Sequence, residues 1–459
     1  MIQHVLRLLL TLITLAPQLL LAADGDTHQS TLDNGLTVLI REDHRAPVVV
    51  AQLWYKIGSS YELQGHTGIS HMLEHMMFKG TEKYPNNSFS TIIAEQGGVL
   101  NAFTTNDMTV YYEMLAANKL ETSLELEADR MANLLLREKD LTSELQVVKE
   151  ERRMRVEDSP EGRLFERLNA TAYISTSYHH PVIGWMNDIE QYTISDLQKW
   201  YQQWYAPNNA TLVIVGDVDP EQVLKEAKKQ FGHIPARDLP ILKKEKEVEP
   251  LGERRLTVKV PAQLPTIYIG YNAPSITMVK EEWEPYALYV LSSILAGGDS
   301  SRIQQELVRD QQILAQGDAY YNPLSRLGEL FILSGIPATG HSITEAESVL
   351  LAQIDTLQGE LVNAQELDRI KTNVKASRIF AKDSVDAQAQ EMGLLVTLGL
   401  DWKLADQFVS KIDAVTAEQI QQVAKKYLIA DRRTVAVLDP QPITTEAPVS
   451  NPGDLNEVR

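Results

Sequence analysis

The residues with the clearest chemical potential are His71, Glu74 and His75, in the run His71-Met-Leu-Glu74-His75. Two histidines four positions apart on a helix lie one turn apart, so both imidazoles can grip a single metal ion. Glu74, one turn from His71 and adjacent to His75, can reach a water that such a metal acidifies without being a ligand itself. The chemistry implied is metal-dependent hydrolysis. The chain has 10 histidines and no cysteine, which excludes thiol catalysis, disulfide scaffolds and cysteine-ligated metal and leaves His and carboxylates as its strong ligands.

These residues need a helix to hold them. From Gly68 to Phe78 the apolar residues Ile69, Met72, Leu73, Met76 and Met77 recur at helical spacing. At about 100° per residue they share one face, and His71, Glu74 and His75 share the opposite one. An exposed helix with two surface histidines is the alternative reading. A catalytic zinc needs a third protein ligand. Glu150 and Glu151 stand side by side in an acidic helical segment, and since helix neighbours point about 100° apart, geometry alone does not choose between them.

The chain is 459 residues long, 44% hydrophobic and 23% charged, the composition of a globular protein of two or three domains. Its formal charge of −19 repels phosphate backbones and argues against nucleic-acid binding. Two halves follow one plan. The first opens on strand-like runs at Leu36–Ile40 and Val48–Trp54 and closes on the run from Thr211. The second opens at Arg255–Val260 and Thr266–Tyr271 and closes on the run from Thr434. Gly98–Tyr112, with alternating Thr, Val and Tyr, also reads as a strand. Strands bracketing helices in each half predict two α+β domains. Residues 24–236 and 255–443 are the expected domains, 237–254 a Lys/Glu/Pro-rich linker, and 444–459 a polar tail.

Residues 1–23 read as a secretory signal peptide, with Arg7, an apolar run from Leu8 to Leu15, Pro17, and small residues at Ala22 and Ala23. An uncleaved N-terminal anchor is the competing reading, although an apolar-rich run of eight residues before a proline is too short to span a bilayer. A periplasmic protein is expected. The pair His179-His180 before Pro181 reads as a packed turn, and His66 as part of the lead into the motif helix.

The sequence resembles the pitrilysin-like, inverted-motif zinc peptidases that include mitochondrial processing peptidase. The resemblance rests on HMLEHMMFKGT (His71–Thr81), Gly97-Gly98 with Asn101-Ala102-Phe103-Thr104, Ala128–Met131, Pro181–Gly184 and, in the second half, Gly297–Arg302. It spans about Leu32 to Asp439. It implies two homologous domains, each a mainly antiparallel sheet packed with helices, that form half of a clamshell chamber. It further implies one Zn2+ per chain and endopeptidase activity on peptides or unfolded segments, with a non-catalytic assembly or chaperone-like subunit of the same fold as the alternative. The third ligand is then Glu151, 76 residues after His75, and Glu144 matches a second family acid, expected to orient a ligand or the zinc-bound water. Asn101 and Ala102 would contact the backbone of a peptide added to a sheet edge.

The family's C-terminal half usually supplies an arginine and, seven residues later, a tyrosine near the scissile carbonyl. Here Arg309 matches, but Gln316 stands where the tyrosine would be. That mismatch implies a homologous partner subunit supplying an Arg/Tyr pair, or a homodimer.

Overall fold

The computed structural model describes residues 26–443; the signal-peptide and tail expectations lie outside the described residues. The fold is α+β, with two mixed sheets, one in each half. The first contains β1 (Thr27–Thr31), β2 (Thr37–Glu42), β3 (Val48–Tyr55), β4 (Val99–Thr104), β5 (Thr109–Ala116) and β6 (Ala210–Gly216), in the order β1-β2-β6-β3-β5-β4. The second contains β7 (Arg254–Pro261), β8 (Thr266–Ala273), β9 (Leu314–Tyr320), β10 (Glu329–Pro337) and β11 (Arg433–Gln441), in the order β7-β11-β8-β10-β9.

Omitting β1, the two orders are the same. Each sheet has one parallel pair, β2 with β6 and β7 with β11, and its other pairs are antiparallel. The repeat read from the two closing runs is thus a repeat of topology, with β6 and β11 inserted at equivalent places. Gly98–Tyr112 is not one strand. It is a hairpin of β4 and β5 whose connection, Thr105 to Met108, is closed by Thr105 donating its N–H to Met108 O at 2.8 Å. Asn106-Asp107 supplies the turn chemistry that the Thr/Tyr alternation masked.

Both central strands of the first sheet are buried on both faces. Val49, Ala51, Leu53 and Tyr55 face the main core of the first half, whereas Val50 and Trp54 face the other way. That second face is covered by helix Val385–Thr397 of the second half, which brings Ala389 and Met392 onto Val213 and Val215. Gly393 lies so close to the Trp54 indole that a Cβ there would be 2.2 Å away. In exchange, helix Pro160–Ala172 of the first half sets Leu164 and Leu168 against Leu330, Ala436 and Leu438 of the second sheet. Residues 237–253 contain no regular element. The segment is nevertheless tied down: Glu247 accepts the N–H groups of Ile174 and Thr176 at 2.9 and 3.0 Å, and Glu245 that of Ser177 at 2.8 Å.

Candidate metal centre

Three helices carry the site: α1 (Ile69–Met76), α2 (Glu138–Arg152) and α3 (Pro160–Ala172). α1 begins at Gly68, whose φ is +87° and whose Cβ would lie 2.4 Å from Ile183 O, so only glycine fits there. Its first N–H groups are received by a buried acid: Glu62 accepts Gly68 N at 2.6 Å and Ser70 N at 2.8 Å. Burial pushes the Glu62 carboxyl up to about 7, against the pull of those N–H groups. Six residues separate Glu62 from Gly68, outside the usual capping-box spacing, so local sequence pattern gave no sign of it.

The apolar face of α1 packs into the core, and His71 is 6% exposed, which excludes a helix with two surface histidines. Its chemical face meets α2. His75 Nε2 lies 3.2 Å from Glu151 Oε2, and His71 Nε2 lies 3.6 Å from the same oxygen. Ligand atoms of the three residues all fall within 4.8 Å of one another. Tetrahedral zinc with bonds of about 2.0–2.2 Å spaces its ligand atoms roughly 3.3–3.6 Å apart, so two imidazoles and a carboxylate so placed fit that ion. Glu150 points elsewhere and pairs with Arg153.

Around this cluster most polar groups are matched, but His71 Nδ1 is buried without a hydrogen-bond partner among the described residues. His75 Nδ1 donates to Glu144 Oε1 at 3.0 Å, and Glu144 also pairs with Lys79. Burial disfavours a charged His75, yet Glu144 and Glu151 outweigh it and hold its pKa up to about 9. Burial likewise opposes ionisation of Glu151 and Glu144, but the histidines keep the first well below the usual carboxylate range, and His75 and Lys79 keep the second below it. Thr104 Oγ1 donates to Glu74 Oε2 at 2.5 Å. Arg155 Nη1 sits 2.8 Å from Glu151 Oε1, from the π-helical turn Arg153–Glu157 that follows α2. Arg152 turns inward and donates to Glu166 on α3 at 2.9 Å and to Gly184 O at 2.6 Å. It thereby clamps the end of α2 that carries Glu151.

The cluster opens into a cavity of about 930 Å3 that is also lined by Asn101, Ala102 and, from the second half, Glu329. Among the described residues β4 pairs only with β5, so its other edge is free, and Ala102 N–H donates to Asn101 Oδ1 at 2.9 Å. His179 and His180 form a turn on the wall of this cavity, where burial holds His180 down to about 4. Arg309 is elsewhere: its guanidinium is exposed, 3.5 Å from Asp299, and does not line the cavity. Gln316 lies on the edge strand β9 of the second sheet.

The fold and cluster define a two-domain α+β protein with a candidate metal centre inside its first half. By sequence the chain belongs to peptidase family M16: residues 37–184 match the family described as Insulinase (Peptidase family M16), and 191–374 match the Peptidase M16 inactive domain. It is 36% identical over 366 residues to Zinc protease PqqE of Helicobacter pylori, covering 78% of this chain and 80% of that one. It is 25% identical over 413 residues to the mitochondrial-processing peptidase subunit beta of Lentinula edodes, covering 88% and 87%. The crystal structure of a protease from Helicobacter pylori superimposes with a TM-score of 0.86 at 31% identity, covering 91% of this chain and all of that one. The periplasmic protease PqqL from Escherichia coli has the same fold (TM-score 0.73, 19% identity), with 92% of this chain matching 49% of that one.

Proposed function

We propose that the chain is a zinc-dependent endopeptidase that cleaves peptides or unfolded segments. The observation that carries this reading is the convergence of His71, His75 and Glu151 on one point, with Glu74 lining the same large cavity. His71, His75 and Glu151 would hold the ion, His75 through Nε2 because Nδ1 is engaged by Glu144. Zinc so held supplies Lewis acidity and lowers the pKa of water from about 15.7 toward 7. Glu74 has one oxygen tied to Thr104 and the other available to take a proton from the attacking water and return it to the leaving amine. The free edge of β4 offers backbone groups to an extended peptide, whose carbonyl would take over the Ala102 N–H from the Asn101 side chain. Main-chain pairing of that kind tolerates varied sequences.

The exposed position of Arg309 and the presence of Gln316 favour a paired enzyme, in which a homologous subunit completes a clamshell chamber and supplies the Arg/Tyr pair; a homodimer, whose second copy would bring Gln316 again, is the alternative. Names among the relatives agree with pairing: one is a subunit, and another chain is about twice as long as the part matched here. The N-terminal segment suits export to the periplasm, and no helix among the described residues is long and apolar enough to cross a membrane. A non-catalytic assembly or chaperone-like role is the second reading, favoured by the same mismatch at Gln316.

Hydrolysis of a quenched peptide library by the zinc-loaded chain, with Glu74→Gln as control, separates the two readings. Cleavage is expected to vanish in the variant while one zinc per chain remains, to stop on chelation, and to rise when an Arg/Tyr-bearing partner is added. Zinc bound without cleavage, alone or with such a partner, would leave the non-catalytic role.

A further inference from the structure

A second cavity, of about 480 Å3, lies between the first sheet and helix α4 (Val385–Thr397) of the second half. Its apolar wall is Trp54, Phe103, Met108 and Leu394. The Trp54 and Phe103 rings meet edge to face, 6.0 Å apart and at 86°, and make a rigid corner. Cationic groups on its rim are already matched: Arg378 Nη1 lies 2.9 Å from Glu391 Oε1, and Arg41 Nη2 lies 3.1 Å from Asp406 Oδ2. Asn106, Asn322, Gln388 and Gln390 also line it, but with the guanidinium groups neutralised the Trp54–Phe103 corner can seat an apolar group, and the volume falls within the range of sites that hold one.

This cavity adjoins the one at the metal centre: Phe103, Asn106, Tyr178 and Glu329 line both. Phe103 is the link. On β4 it sits between Ala102, at the free strand edge, and Thr104, which holds Glu74. Phe103 and Thr104 are neighbours on β4 and face opposite sides of the sheet, Thr104 toward Glu74 and Phe103 toward Trp54. An extended peptide paired with β4, alternating its side chains and advancing about 3.3 Å per residue, would turn one toward this wall within about four residues of the Glu74 contact.

We propose that this second cavity is a specificity subsite of the same active centre, taking one large apolar or aromatic side chain of the peptide about two to four residues from the bond that is cut. The inference rests on the peptidase reading. It gives the second half, which matches a domain described as inactive, a part in choosing the substrate: Leu394 would read a side chain of the peptide whose bond is cut in the first half.

The test uses the full-length zinc-loaded Glu74→Gln chain and labelled decapeptides in which Phe replaces Ala at successive positions, with binding followed by fluorescence anisotropy. At one position Phe is expected to bind at least about 10-fold tighter than Ala, the lower end of what a buried apolar group discriminates. Leu394→Trp, which fills the pocket, should bring that ratio to within about twofold, whereas Leu394→Ala, which opens the same wall, should move the preference from Phe to Trp. Absence of any preferred position, or a preference that both variants leave unchanged, overturns the subsite. Hydrolysis by the unmutated chain, alone and with an Arg/Tyr-bearing partner, is scored separately: selective binding without cleavage in either case sinks the peptidase reading and retains the pocket as a peptide-binding site.

Discussion

Glu144 Oε1 lies 3.0 Å from Nδ1 of His75, while Nε2 of the same ring faces Glu151. The carboxylate therefore sets both the tilt of the imidazole and the nitrogen left free for a metal. Glu144→Gln keeps the shape and loses the charge. We expect zinc affinity to fall about 10–100-fold, measured by competition with a chromophoric chelator, and activity to return at saturating zinc. Unchanged affinity would remove Glu144 from the site.

The hydroxyl of Thr104 restrains the proposed proton carrier, Glu74, from the neighbouring edge strand. A hydrogen bond to a charged group contributes about 1.5–3 kcal/mol, so Thr104→Val should lower kcat roughly 10-fold or more with zinc stoichiometry intact. Thr104→Ser should restore it. Steady-state kinetics on a single peptide decides the matter, and a Val variant within twofold of the parent argues that Glu74 is held by other means.

Glu62 makes a prediction about pH. Burial raises its pKa from 4.5 to about 7, so between those values the folded chain keeps a proton that the unfolded chain has lost. Its contribution to stability is full below about pH 4.5 and declines as pH rises through 7. A shift of this size is on the order of 3 kcal/mol. Glu62→Gln should therefore cost most near pH 5 and progressively less toward pH 8, as measured by urea unfolding across that range. A cost that does not vary with pH would refute the assignment.

How much of this was legible in advance follows from the range of each interaction. His71, Glu74 and His75 lie within two turns of one helix, and helical periodicity exposed them. Glu151 is on a different helix, 76 residues after His75, and only family resemblance separated it from Glu150; the structure turns the two apart as helix geometry requires. Glu62 and Arg152 were missed because their partners are backbone groups or residues distant in sequence, which leave no periodic trace. Leu36–Ile40 and Val48–Trp54 were recognisable as strands, but not why β3 and β6 are apolar on both faces: the covering helix comes from more than 160 residues downstream of β6, by subtraction of residue numbers.

Arg326 reaches from the second half into the first. Its Nη2 donates to Ser60 Oγ at 2.8 Å, its Nε to Asp107 Oδ1 at 3.3 Å, and its guanidinium stacks 4.3 Å from the Tyr61 ring. Asp107 is 6% exposed, so Arg326→Gln takes the opposing charge from a buried carboxylate that keeps only the Ser60, Tyr178 and backbone N–H donors, at a cost of about 1.5–3 kcal/mol. Adding Asp107→Asn should recover part of that loss, a coupling that chemical denaturation of the two single variants and the double variant would register. Strict additivity would count against the pair.

The reciprocal placement of the Pro160–Ala172 and Val385–Thr397 helices has a consequence for cutting the chain. Each half lends the other the cover of one sheet face, so neither fragment alone keeps Val50, Val213 and Val215, or Leu330 and Leu438, away from water. A single break between residues 238 and 244, before the anchoring Glu245 and Glu247, severs the connection without disturbing either exchange. The two pieces would then stay clasped as a nicked whole, whereas the same pieces made separately would each present an uncovered sheet and associate unproductively.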